Sequence, residues 1–178
     1  MSIELQQKIQ LLELELEKCK ARVAELEGRR PHAAGNMGEA YLASLLGVEP
    51  TIQNCPYDIL TPTNCKLEVK TSKLNLHNHA NGSHWGWSKP LGEDSDKDYD
   101  QLILLAEPNP QHINFYAQPF VRYVIFDIPF SKVPKFLNGR RDIFLGTNPN
   151  RVFSPTSITL YRDFQITEHE FVKKYHKA

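Results

Sequence analysis

Two carboxylates and a lysine stand at a spacing that suits phosphodiester hydrolysis. Asp58 is followed, after nine intervening residues, by Glu68-Val69-Lys70. Side chains alternate along an extended chain, so Glu68 and Lys70, two apart, share a face. Thr61-Pro62-Thr63-Asn64 reads as a turn, which makes residues 57–60 and 66–71 the arms of a hairpin. Asp58 can then face Glu68 across it. Hydrolysing a phosphodiester needs a nucleophilic water, shielding of the charge that builds on phosphorus, and help for the leaving oxygen. Two carboxylates with a backbone carbonyl offer the hard oxygen donors of a Mg²⁺ site, and Mg²⁺ keeps several of its waters. Such an ion lowers the pKa of a bound water and screens phosphate oxygens. The neighbouring lysine orients or deprotonates that water, or stabilises the transition-state charge. The competing reading is a solvated charged hairpin, because an Asp followed by Glu-x-Lys also arises by chance.

The surrounding elements must hold these groups. Ahead of them, residues 37–46 carry Ala40, Tyr41, Ala43, Leu45 and Leu46 and read as a short helix that stops at Gly47. Residues 51–54 and 57–60 read as strands, and 66–71 as the returning strand with Leu67, Val69 and Thr71 on one face. The stretch 72–100 is rich in Asn, His, Gly and Asp and reads as loop, with room for a short strand at 84–88. Leu102 to Ala106 is a continuous apolar run, short enough for a buried strand. Residues 122–128 and 157–161 read as further strands, 130–137 as a helical turn, and 167–176 as a terminal helix capped by Thr167 with Glu170 three residues on.

Residues 3–27 carry a heptad repeat, with Leu5, Leu12, Cys19 and Leu26 at d and Ile9, Leu16 and Val23 at a. In a parallel pair the g and e positions meet as Lys8–Glu13, Glu15–Lys20 and Arg22–Glu27, all attractive. A homodimer through a parallel N-terminal coiled coil is expected. Three segments follow: a dimerisation helix over 1–28, a linker over 29–36 marked by Pro31 and Gly35, and one globular domain over 37–178.

Tyr57-Asp58 with Glu68-Val69-Lys70 resembles the PD-(D/E)xK nuclease superfamily, over about residues 35–107. The resemblance implies an α/β, restriction-endonuclease-like mixed β-sheet core flanked by helices, here preceded by the coiled-coil helix. It also implies metal binding by Asp58, Glu68 and the carbonyl of Val69, with Lys70 as the catalytic cation. The helix acid seen in several branches maps to Glu39 in Gly38-Glu39-Ala40, and residues 97–106 look like the later core strand. The sequence departs from the pattern twice: Tyr57 separates Pro56 from Asp58, and Asn75, Asn78, Asn81 and Gly82 are poor formers of the helix expected after Lys70.

The function that follows is a Mg²⁺-dependent endodeoxyribonuclease, with Mn²⁺ as a substitute ion, making site-specific double-strand cuts of restriction or homing type. A structure-selective or repair nuclease is the alternative within the same chemistry. Outside it stands a non-catalytic, coiled-coil DNA-binding or scaffold protein with a nuclease-like fold. Net charge is zero, but its distribution is uneven: residues 61–90 set Lys66, Lys70, Lys73 and Lys89 against Glu68 alone. One positive face can therefore meet double-stranded DNA. Lys73, Asn75, His77, Asn78 and Lys89 are the expected DNA contacts, lysines to phosphate and amides to base edges. Trp85 and Trp87 belong either to that surface or to the core. Cys19, Cys55 and Cys65 lack metal-ligand spacing, which fits a reducing cytoplasm, and no apolar run approaches a membrane span.

Overall fold

The computed structural model describes residues 33–52, 55–76, 82–93, 96–117, 122–137 and 140–176. The heptad positions, His77 and Asn78 lie outside the described residues.

The apolar run Leu102–Ala106 is the centre of the fold. Strand β4 (Gln101–Ala106) is buried from Leu102 onward, as a strand covered on both faces must be. It lies parallel to β2 (Lys66–Ser72) and antiparallel to β5 (Val124–Pro129). With β1 (Ile59–Leu60) beyond β2 and β7 (Gln165–Ile166) beyond β5, the sheet order is β1-β2-β4-β5-β7. A second, two-stranded sheet pairs β3 (His84–Ser88) with β6 (Asp142–Gly146). The fold is thus mixed α/β.

Alternation along the strands divides the apolar residues between two faces. Leu67, Val69, Ile103, Leu105 and Ile125 pack with Leu42, Ala43 and Leu46 of helix α1 (Ala33–Leu46), and with Phe171 and Tyr175 of the C-terminal helix (Glu168–Tyr175). Leu102, Leu104, Ala106, Val124, Phe126 and Ile128 pack on the other face with Trp85, Trp87, Ile143 and Leu145 of the β3–β6 ribbon. Parallel strands need a long crossover, most often a helix. Here β3 stands in the crossover between β2 and β4, because Trp85 and Trp87 alternate with Gly86 and Ser88 at the period of a strand. Both indole N–H groups donate to carbonyls at the end of β4 or just past it, Trp85 to Glu107 O (2.8 Å) and Trp87 to Leu105 O (2.9 Å). The tryptophans are therefore core residues.

Several elements differ from the sequence reading. Helix α1 begins at Ala33, so the last four residues of the expected linker are helical, and it ends at Leu46 with Gly47 at φ +64°. Residues 51 and 52 form no strand, and the arm expected over 57–60 shortens to Ile59–Leu60. Pro56 has no N–H for a ladder, and the Thr51 N–H and hydroxyl tie instead to the carbonyls of Asp58 and Tyr57. The strand expected at 157–161 is helical: Ser154 caps a turn opened by Pro155, and Pro155–Thr159 runs on into a π-turn over Leu160–Phe164. A Ser-Pro start outweighs a short β-branched run. The terminal helix carries the expected capping box of Thr167 and Glu170. Strands β6 and β7 were not foreseen. Among the described residues no helix is long and apolar enough to cross a membrane.

Candidate active site

Strand β2 delivers Glu68 and Lys70 to the face opposite Leu67 and Val69. The same face carries Ser72, whose Oγ accepts a hydrogen bond from Gly86 N of β3 (2.9 Å). The β1–β2 register pairs Ile59 with Leu67 and Leu60 with Lys66. Asp58 lies just before β1, and its N–H still donates to Leu67 O (2.8 Å). Its Oδ2 accepts from Val69 N (2.7 Å), continuing the pairing with a side chain where the other strand has bent away. In a strand a residue's N–H and C=O project to the same side, so the Val69 carbonyl lies on the β1 side of β2.

Glu68 is the most constrained group, with 0% relative exposure. Its Oε1 lies 2.7 Å from Lys70 Nζ and its Oε2 lies 3.0 Å from Lys97 Nζ. Neither carboxylate oxygen receives a well-aligned hydrogen bond, so the two ammonium groups hold it as ion pairs. Burial, followed by the nearby Asp58 charge, raises the Glu68 pKa, while Lys70 and Lys97 pull it back. Lys97 Nζ also stands 4.0 Å from Asp58 Oδ1. Partial burial disfavours the Lys97 ammonium, but the carboxylates of Glu68 and Asp58 outweigh that and raise its pKa.

Helix α1 adds the third carboxyl. A Cβ at Gly38 would lie 2.0 Å from Thr71 Oγ1 and 2.9 Å from Leu105 Cδ1, so the missing side chain lets the helix settle onto β2. The next residue, Glu39, then feels the charges of Asp58, Lys70, Glu68 and Lys97. Its pKa is raised from 4.5 to about 7, first by burial and next by Asp58. Asp58, Glu68, Lys70 and Glu39 thus lie close enough for their charges to act on one another.

Lys97 was missed. Its signal was present: one lysine inside the acidic run from Glu93 to Asp100, directly ahead of the central strand. The acids around it hold the loop. Asp98 pairs with Lys66 Nζ (2.5 Å), Asp100 Oδ2 accepts from Lys66 N (2.8 Å), and Asp98 N donates to Pro56 O (3.2 Å). Asp98 and Asp100 thus serve Lys66.

The expected DNA contacts are less gathered. Lys73 is exposed just beyond β2, and Asn75 is exposed but bridged to His84. Lys89 pairs with Glu93, which also takes Arg141 (2.5 Å).

Among the described residues no three His, Cys, Asp or Glu side chains converge as a metal cage. Mg²⁺ does not require one, since it is commonly held by one or two carboxylates and completed by water. The donors here fit that habit: a buried carboxylate without aligned hydrogen bonds, the Oδ1 of Asp58, and a carbonyl on the same side. No family model matches the chain, and no curated protein matches it in sequence.

Proposed function

We propose that this protein is a Mg²⁺-dependent endodeoxyribonuclease of the PD-(D/E)xK type that makes site-specific double-strand breaks. The observation that carries the reading is the fully buried Glu68, linked to Asp58 through Lys97 Nζ (3.0 and 4.0 Å) and with Lys70 on the same strand face. Burying a carboxylate is costly, and a fold without use for its charge gains nothing by it. Asp58, Glu68 and the Val69 carbonyl would hold the ion; when bound, it supplies charge to the phosphate oxygens and acidifies a water. Asp58 is oriented through its bond from Val69 N. Lys70 Nζ donates to the scissile phosphate or to the attacking water beside it. Glu39 is placed to accept a proton near neutral pH. Lys73, Asn75, His77, Asn78 and Lys89 contact DNA, and the parallel coil over 1–28 brings two domains to one duplex.

Digestion of plasmid and phage DNA by the full-length protein with Mg²⁺, followed by sequencing of the ends, tests this. Discrete double-strand ends are expected; cutting confined to branched DNA would point to a structure-selective enzyme, and nicks alone would refute the dimer. Asp58→Ala and Glu68→Ala should abolish cleavage while DNA binding persists. Lys70→Ala should keep metal affinity and lose rate by about 10²–10⁴-fold. Wild-type cutting by Glu68→Ala would end the proposal. The non-catalytic reading draws on the two lysines that already neutralise the carboxylates, and it requires that no Mg²⁺ or Mn²⁺ site depends on Asp58 and Glu68.

A further inference from the structure

Among the described residues, the cation of the site that comes from neither the hairpin nor α1 is Lys97. Its ammonium stands between the two carboxylates, 3.0 Å from Glu68 Oε2 and 4.0 Å from Asp58 Oδ1. That is the place a divalent ion bridging the pair would take. Lys70 differs, since it shares a strand face with Glu68 and reaches only Oε1, at 2.7 Å. The backbone beneath Lys97 is tied down on both sides, by Lys97 N to Leu91 O and by Asp98 N to Pro56 O. The side chain above it is a four-carbon flexible stem and is 22% exposed. It can withdraw toward solvent while the loop stays in place.

We infer that Lys97 is a tethered counter-cation that occupies the divalent ion's place between Asp58 and Glu68 and competes with it. The inference rests on the nuclease reading of the same carboxylates. Two like charges cannot share so small a space in a part-buried site, so ion binding and the inward position of Lys97 exclude each other. In the absence of the ion, Lys97 keeps Glu68 from being buried with a single partner. Once displaced, its ammonium stays within a side chain's length of the site, where a DNA phosphate can take it up. Lys97 is therefore a positioning residue that sets the threshold for loading the ion.

The experiment is a Mn²⁺ titration of the full-length protein without DNA, reading free Mn²⁺ by electron paramagnetic resonance. Lys97→Met and Lys97→Gln should bind Mn²⁺ on the order of tenfold or more tightly than wild type. The added affinity should vanish when either change is combined with Glu68→Gln. Without metal the two variants should unfold at lower urea than wild type, and saturating Mn²⁺ should raise their midpoints by more. In the wild-type protein, Mn²⁺ should increase acylation of the Lys97 amine, read by mass spectrometry, which keeps the test independent of how the variants fold. If wild type binds Mn²⁺ through Asp58 and Glu68, yet the Lys97 variants bind no tighter or Lys97 acylation does not change, the competition is refuted and the nuclease reading survives. If neither wild type nor the variants bind Mn²⁺ at millimolar concentration, the nuclease reading fails and takes the competition with it.

Discussion

Replacing Gly38 by alanine probes how α1 delivers Glu39. The added Cβ would meet Thr71 Oγ1 at 2.0 Å and Leu105 Cδ1 at 2.9 Å. Thr71 is β-branched and fixed in β2, so its hydroxyl has little freedom to move; the Leu105 methyl is the end of a flexible side chain and can yield. Overpacking of this kind costs about 1–3 kcal/mol, and the better helix propensity of alanine returns about 1 kcal/mol. The net expectation is a loss of about 0–2 kcal/mol. Thr71 Oγ1 is buried without a hydrogen-bond partner, so Thr71→Ala removes the nearest obstacle and orphans nothing. In that background Gly38→Ala should be neutral, or stabilising by up to about 1 kcal/mol. The cycle should therefore show a coupling of about 1–3 kcal/mol, the overpacking cost itself. Urea unfolding followed by fluorescence of the buried Trp85 and Trp87 measures it, provided m stays constant. Cleavage should fall with Gly38→Ala, because the displaced helix carries Glu39 away, and should return in the double variant. A higher unfolding midpoint for Gly38→Ala alone, or a cycle with no coupling, would refute the close-approach account.

Two further outcomes follow from buried charge. Glu39 has its folded pKa raised from 4.5 to about 7, so its contribution to stability is fully present below pH 4.5 and is lost as pH rises through about 7. Metal-free Glu39→Gln should match wild type near pH 5 and exceed it by about 1–2 kcal/mol at pH 8, a figure reduced for its partial exposure; parallel profiles across that range would disprove it. Asp127 is 5% exposed and takes Lys174 Nζ (2.6 Å) and the Tyr175 hydroxyl (2.8 and 2.9 Å) from the terminal helix. Asp127→Ala should cost about 2–4 kcal/mol in urea unfolding by leaving both without their acceptor, and a loss below about 0.5 kcal/mol would show the helix is held by apolar contacts alone.

The legible part of the chain was the part governed by local periodicity and turn chemistry. The hairpin turn at 61–64 has Asn64 at φ +61° with its N–H bonded to Thr61 O, and the buried strand over 102–106 needed only its apolar run. That Asp58 comes near Glu68, close enough for its charge to act on it, was expected from counting. What escaped depends on distant partners. Strand β6 reads weakly alone, because Ile143 and Leu145 acquire their meaning only from β3 and the sheet behind it. Trp85 and Trp87 were ambiguous for the same reason, since an aromatic in a polar stretch serves a core or a ligand equally well until its cover is known. Lys97 was hidden by a different effect. A lone cation among acids reads as local neutralisation, whereas the fold turns those acids to Lys66, Arg141 and Lys89 and sends Lys97 elsewhere.

The ribbon in the crossover accounts for the electrostatics of the site. A helix between β2 and β4 would cover the sheet and enter β4 through a short loop. Here the tryptophans of β3 supply the cover, and the described residues between Lys89 and Gln101 form no helix or strand. That path runs past the hairpin, as the bonds from Asp98 N to Pro56 O and from Asp100 N to Lys66 O record. It walls the end of the sheet where Asp58 and Glu68 meet. Burial there makes the Glu68 charge costly to keep. Lys70 from the strand and Lys97 from the wall offset that cost, one on each oxygen of Glu68. Glu39, the carboxyl left over, responds by holding its proton up to about pH 7. On the nuclease proposal, such a site would take its ion only when a lysine gives up its carboxylate.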